Sequence, residues 1–193
     1  FWYKITGADT VQLITNPNAA NSYSAVYPDA PAELVIPATV TNSGTGKTYT
    51  VTTIGYKAFF LCSQITSVTL PDTIRVIGDY AFQTDFKLPS TLKRIGNSAF
   101  AQSGITEVHF GDAIEAVDDR AFNFCKKLVK AELTKETQNC EGLYLYCDNL
   151  AEVTIEDGVT YIPENCFFDC FALTSVVLPD SVTEIGKSAF YGC

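Results

Sequence analysis

The 193-residue chain predicts a solenoid. The expected form is a right-handed superhelix of 23-residue turns, each with a short parallel β-strand and a short helical or 3-10 turn, behind an N-terminal β-hairpin cap. Three observations carry this. A six-residue motif, I-G-x-x-A-F, recurs at regular spacing. An alternating V-x-L-P motif follows it within the unit. The first 53 residues contain no full copy of the unit, which places them at one end.

The N-terminal part comes first in the chain. Tyr3-Lys4-Ile5 and Val11-Gln12-Leu13-Ile14 flank Gly7-Ala8-Asp9 and read as a β-hairpin. Leu34-Val35-Ile36-Pro37 imitates V-x-L-P, so it is expected to form the first rung. Asn42-Ser43-Gly44-Thr45-Gly46 between Val40 and Tyr49 reads as a second hairpin turn. A solenoid needs an end that shields its first apolar layer, and residues 1–53 are assigned that role, with Trp2 as a packing residue rather than a ligand platform. Residues 54–193 are assigned to six to seven repeats.

Those repeats begin with Ile54-Gly55-Tyr56-Lys57-Ala58-Phe59. They continue with Ile77-Gly78-Asp79-Tyr80-Ala81-Phe82, Ile95-Gly96-Asn97-Ser98-Ala99-Phe100 and Ile185-Gly186-Lys187-Ser188-Ala189-Phe190. The full unit is I-G-x-x-A-F-x-x-C-x-x-L-x-x-V-x-L-P-x-x-V-x-x. Residues 54–76 and 162–184 follow it almost throughout. Residues 77–94 lack five positions and residues 95–116 lack one. Residues 117–138 end in the polar run Thr134-Lys135-Glu136-Thr137-Gln138. Residues 139–161 diverge most, with Leu143-Tyr144 in place of Ala-Phe. The last copy stops at Cys193, midway through a unit, and there is no initiator Met. A mature or excised piece of a longer protein is the expectation.

In V-x-L-P (Val68 to Pro71, Phe86 to Pro89, Val176 to Pro179) apolar residues alternate with variable ones. That is the period of a strand with one buried face. The proline ends the strand because it lacks the ladder donor. The A-F-x-x-C segment spaces Ala, Phe and Cys as on one helical turn. One aromatic per unit, Phe59, Phe82, Phe100, Phe122, Tyr144, Phe167 and Phe190, falls at the same place. The Gly of Ile-Gly suits a turn with unusual dihedrals. No unit can bury its apolar side alone, so stacking is what creates a core.

On these residues the chain resembles the leucine-rich repeats of the BspA-like family of bacterial surface proteins. Leu34 to Val40 followed by Thr48-Tyr49-Thr50-Val51 resembles what precedes the repeats in such proteins. The resemblance implies a leucine-rich-repeat solenoid, export to the cell surface or the medium with the signal peptide absent from this chain, and adhesion to host extracellular-matrix proteins, host cells or other bacteria.

If the Val and Leu of the strand point inward, the flanking residues point outward in two rows. One row is Ser67, Asp85, Glu107, Lys130, Glu152 and Ser175. The other is Thr69, Lys87, His109, Glu132, Thr154 and Val177. Their central members, Asp85, Lys87, Glu107, His109, Lys130, Glu132, Glu152 and Thr154, form the candidate ligand-binding face. The alternative for any single residue is a solvated position filled with a polar side chain for solubility, and the row as a whole is a better candidate than any member. A binder is expected to carry a contiguous apolar or aromatic patch there, whereas uniformly small polar residues would favour a spacer. His109 is the one histidine of the chain, and it has neither a nearby nucleophile nor a ligand spacing.

Composition narrows the function classes. A net charge of −9 argues against a nucleic-acid binder, which needs a basic face to displace counterions. No apolar run reaches the roughly 18–20 residues of a membrane helix. The seven cysteines contain no C-x-x-C, so neither a zinc site nor a thioredoxin-like motif is expected, and no metal or cofactor is assigned to any residue. Cys62, Cys125, Cys147, Cys170 and Cys193 occupy one repeat position and are expected to be buried thiols. Cys140 and Cys166 are off-register, and whether either forms a disulfide stays open. Charge is uneven: residues 139–193 hold nine acids and only Lys187. That stretch reads as a soluble edge or as a surface for a basic partner or a divalent cation. The divergent residues 134–149 read as a functional loop or as simple repeat decay, with exposure of Tyr144 or Tyr146 favouring the former.

The expected function is non-enzymatic recognition, protein–protein binding or adhesion through the exposed sheet face. The alternative is a structural spacer presenting other parts of a larger surface protein. A glycosidase would need two carboxylates positioned across a cleft, and none is identifiable.

Overall fold

The computed structural model describes residues 2–14, 32–60, 62, 64–82 and 88–193. The chain runs through β1 (Trp2–Ile5), β2 (Thr10–Ile14), β3 (Glu33–Val35), β4 (Thr39–Thr41), β5 (Thr48–Ile54), β6 (Ser67–Thr69) and β7 (Val76–Ile77). It continues through β8 (Arg94–Ile95), β9 (Ala116–Val117), β10 (Lys130–Leu133), β11 (Glu152–Ile155), β12 (Tyr161–Ile162) and β13 (Glu184–Ile185). β1 and β2 form an antiparallel hairpin, as do β4 and β5 around Asn42, whose Oδ1 accepts the N–H groups of Gly44 and Thr45. β5 crosses the 53/54 boundary and pairs parallel with both β2 and β7.

The V-x-L strand is present and parallel. β3 pairs with β6, and β10 pairs with β11 in the register Lys130↔Glu152 and Glu132↔Thr154. Glu107 bridges to Lys130 in the same direction. Residues 176–178 do not enter a strand, and Phe86 lies outside the described residues.

A second strand series precedes each Ile-Gly. It runs β5-β7-β8-β9 and resumes at β12-β13, with Gly78 N–H to Ile54 O, Gly96 N–H to Ile77 O and Gly186 N–H to Ile162 O each 2.8 Å long. Only two residues long in every rung after β5, it gives too little alternation for a periodicity argument to detect.

The A-F-x-x-C segment is not helical: among the described residues no helix occurs. It is a pair of tight turns. Ala58 N–H donates to Gly55 O (3.2 Å) and Cys62 N–H to Phe59 O (3.3 Å). Among the described residues, the third position of such turns has positive φ, from 51° to 62°, at Lys57, Tyr80, Ser98, Gln102, Arg120, Phe124, Tyr146, Asn165, Asp169 and Ser188. That is the type II pattern, and a left-handed residue every fourth position forbids a helix. Each such residue in an L-amino acid costs about 1–2 kcal/mol. The offset is a rung-to-rung ladder in which the left-handed residue donates its N–H to the next turn: Lys57 to Asp79 O, Arg120 to Glu141 O (both 2.9 Å) and Asn165 to Lys187 O (3.0 Å).

The repeated Gly therefore has a different role from the one expected. Gly55, Gly78, Gly96 and Gly186 lie outside the positive-φ set. A Cβ on Gly55 would sit 2.6 Å from Leu13 O, and on Gly96 2.7 Å from Asp79 N. The neighbouring rung leaves no room for a side chain.

Between these ladders runs an aromatic column. Successive ring centroids lie 4.9 Å apart for Phe59–Phe82, 5.1 Å for Phe100–Phe122, 5.8 Å for Tyr144–Phe167 and 5.3 Å for Phe167–Phe190, all stacked. Phe82–Phe100 and Phe122–Tyr144 complete it. The thiols form a parallel column: Cys125, Cys147 and Cys170 each donate to the carbonyl of the preceding rung, at 3.2, 3.2 and 3.3 Å. Cys62, Cys125, Cys147 and Cys170 are buried as expected, and Cys193 is exposed. All seven are free, Cys140 and Cys166 included.

Candidate functional site

The rows flanking the V-x-L strand point outward. Glu107, His109, Lys130, Glu152 and Thr154 are exposed and Glu132 is half-buried, while Val108, Ala131 and Leu133 between them are buried. Asp85 and Lys87 lie outside the described residues. The parallel register brings the described members into contact. Lys130 Nζ lies 2.9 Å from Glu152 Oε2. This hydrogen bond, with Glu107 adding to it, raises the Lys130 ammonium pKa above its ordinary value. His109 stands between two carboxylates, its Nε2 3.8 Å from Glu107 Oε2 and its Nδ1 3.5 Å from Glu132 Oε2. Glu132 also accepts the backbone N–H of Phe110 from the preceding rung.

The face is charged and paired rather than aromatic. The outward aromatics sit instead on the turn ladder. There Phe124 and Tyr146 lie 4.6 Å apart, Tyr146 and Phe168 5.5 Å, and Phe168 and Tyr191 4.7 Å. A second cluster, Tyr56, Phe60 and Tyr80, surrounds the Lys57 ammonium at 5.1, 5.1 and 5.6 Å. Tyr144 is fully buried and Tyr146 half-buried, so neither is a prominent surface group.

The rows continue past the strands into a groove of about 440 Å³. Alternation carries Glu132 on to Thr134 and Glu136, and Thr154 on to Glu156, and Asp112 closes the near end. Phe110 and Ile114 lie between the polar groups. The Phe110 ring is anchored edge-on against Phe122 at 5.9 Å. Asp112, Glu136 and Glu156 are exposed, so this is not a buried carboxylate pair of the kind glycoside hydrolysis uses. Phe110, Asp112, Glu136 and Glu156 were not among the expected face residues. The signal for Glu136 and Glu156 was the period-2 pattern running on beyond Leu133 and Ile155.

The divergent residues 134–149 support this groove. Thr137, fully buried, accepts the Thr134 N–H through Oγ1 at 2.8 Å and turns the chain outward at Glu136. The second strand series is interrupted here, and side chains take over its hydrogen bonds. Cys140 Sγ donates to Val117 O (2.9 Å), Asp119 Oδ1 accepts Glu141 N–H (2.9 Å), and Gln138 Oε1 accepts Thr160 N–H (2.8 Å).

The charge asymmetry also changes when the rungs are stacked. Bases pair with acids one rung ahead: Arg120 with Glu141, Lys126 with Asp148, Lys130 with Glu152 and Lys135 with Glu156, at 2.9, 2.6, 2.9 and 3.4 Å. Four of the nine acids after residue 138 are thus neutralised by the near-neutral body. Among the described residues no group of three His, Cys, Asp or Glu side chains could hold a metal ion, and no helix is long and apolar enough to cross a membrane.

Comparison with known proteins agrees with this geometry. The family profile described as BspA type Leucine rich repeat region matches residues 47–85 and 83–193 in six copies. No curated protein sequence matches. Among solved structures, a leucine rich cell surface protein from Faecalibacterium prausnitzii is 28% identical with a TM-score of 0.74, covering 99% of this chain and 50% of its own. A leucine-rich repeat protein from Bacteroides ovatus is 23% identical with a TM-score of 0.69, covering 96% and 53%. The leucine-rich repeat protein of T. pallidum is 18% identical with a TM-score of 0.61, covering 90% and 87%. The chain spans about half the length of the first two.

Proposed function

The chain belongs to the BspA-type leucine-rich repeat family, and from that premise we propose that it is a non-enzymatic recognition module of an exported bacterial surface protein. Repeats of this kind commonly serve as protein-interaction modules. The reading places the binding surface on the sheet face formed by Glu107, His109, Lys130, Glu132, Glu152 and Thr154. Asp85 and Lys87 extend it by repeat position. Residues 1–53 would act as the end cap, and the right-handed crossover preference of parallel strands would set the superhelix. The single supporting observation is the groove of about 440 Å³ into which that face runs, a concavity lined by outward groups of three successive rungs. The similarity to a leucine rich cell surface protein of Faecalibacterium favours the location.

The test is an array of extracellular-matrix proteins and glycans probed with this fragment and with a variant carrying Lys87→Ala, His109→Ala and Glu132→Ala. Loss of binding in the variant is expected, and unchanged binding would sink the sheet-face assignment. The second reading, a structural spacer, is favoured by one feature: the charges of the sheet face are largely satisfied by each other. An array on which the native fragment binds nothing would favour it.

A further inference from the structure

We propose that the groove beyond β10 and β11 receives an arginine side chain presented by a protein partner. This rests on the recognition reading above and names the chemistry of the partner. The groove has the two parts such a side chain needs. Phe110 and Ile114 offer apolar surface for the three-carbon stem, and Phe110 a ring against which a guanidinium can stack. Asp112, Glu132, Glu136 and Glu156 place carboxylates around it. Several carboxylates converging from different rungs suit the planar fork of a guanidinium better than the single point charge of an ammonium.

The local ion pairing leaves the groove short of cations. Lys130 is committed to Glu152 on the far side of the face. Among the described residues, Lys135 is the one lysine or arginine that pairs with a groove carboxylate, lying 3.4 Å from Glu156 Oε1, and its stem rests over Gly158. Glu132 is the central group. Its side chain is only 23% exposed, so its charge is partly withdrawn from water. Its contacts are the Phe110 N–H and the His109 imidazole. A partly desolvated carboxylate gains most from a new counter-ion, because screening by water is weakest there. The Thr154 hydroxyl stands beside it on the neighbouring strand, at hand as a further acceptor. Asp157, Asp180 and Glu184, which make no ion pair among the described residues, lie outside the groove lining and would act at longer range, drawing a basic partner toward this end.

The inference is tested by NMR titration of the 15N-labelled fragment with N-acetyl-arginine methylamide. The lysine and norleucine analogues serve as comparators. The expected result is saturable shifts at the amides of Gly111, Asp112, Thr134, Glu136 and Thr154 with a Kd of roughly 1 mM or weaker, about −4 kcal/mol. Arginine should bind more tightly than lysine, and norleucine should bind least. In the Glu132→Gln, Glu156→Gln variant, whose amides keep the acceptor roles, affinity should fall about tenfold, equivalent to about 1.4 kcal/mol. Shifts centred on residues 157–184, or shifts unchanged in the variant, would overturn the inference. A matrix protein captured on the array through the sheet face, together with no groove shifts from arginine, would overturn it while leaving the recognition reading standing. Groove shifts with an empty array would uphold the guanidinium site but overturn its assignment to a protein partner, together with the recognition reading it rests on.

Discussion

Tyr144 donates its hydroxyl to the backbone carbonyl of Glu132 at 2.6 Å, from within the aromatic column to the strand that carries the candidate face. Every other rung places Phe at this position. The substitution that looks like repeat decay therefore ties the column to β10. Burial holds the Tyr144 phenol pKa well above its ordinary value, so the donor stays protonated. Tyr144→Phe should lower stability by about 1 kcal/mol, the usual net value of one buried hydrogen bond. Urea denaturation gives that number. Stability equal to the native chain would mean that the hydroxyl contributes nothing.

The Ile-Gly motif makes a second prediction. Because a Cβ on Gly96 would lie 2.7 Å from Asp79 N, Gly96→Ala should cost about 1–3 kcal/mol through steric overlap. Gln102→Gly is the contrasting case. It removes a left-handed penalty of about 1–2 kcal/mol and adds about 0.5–1 kcal/mol of backbone entropy cost. It should be neutral or mildly stabilising. Thermal unfolding of both variants decides whether close approach or dihedral freedom governs the motif; equal losses would contradict this account.

The thiol column predicts both reactivity and pH dependence. With Cys193 exposed and the other six buried, one thiol should react promptly with an aromatic disulfide reagent in the native state, and the rest only on unfolding. Burial pushes Cys140 and Cys170 from the ordinary 9.0 to about 12. Between those values the folded chain holds protons that the unfolded chain has released. Stability is therefore fully present below about pH 9 and falls as pH rises toward about 12. Denaturation midpoints across that range should decline steadily. A rise would contradict burial of these groups.

The forward-leaning ion pairs should matter little for stability. Arg94 reaches both Asp118 oxygens at 3.0 Å, the best geometry among them, yet both side chains are over a third exposed. Arg94→Ala should cost no more than about 1 kcal/mol, and less at high salt. A loss well beyond that in urea denaturation would show that the rung-to-rung pairs hold the stack together.

The parts of the molecule readable in advance are those where one residue type has one physical cause. The aromatic column from Phe59 to Phe190 and the outward set of Glu107, His109, Lys130 and Glu132 follow from spacing alone, because burial repeats with the rung. The turn ladder does not. Lys57, Arg120 and Asn165 share a backbone conformation but no side-chain chemistry, since the left-handed region is enforced by hydrogen bonds from the next rung. The groove was likewise hidden, because Asp112, Glu132 and Glu156 meet only through stacking of positions some 20 residues apart in sequence. The cations opposite the acidic C-terminal stretch were invisible for the same reason: Lys126 and Lys130 precede their partners by 22 residues.

Hydrogen exchange by mass spectrometry, on the fragment alone and bound to a matrix protein captured on the array, tests the central claim most directly. Binding through the sheet face predicts new protection in the segments 107–112, 130–136 and 152–156, with the turn ladder at 119–124, 141–146 and 164–169 unchanged. Protection confined to the turn ladder, where Phe124, Tyr146 and Phe168 lie, would contradict the account and move the recognition surface to those turns.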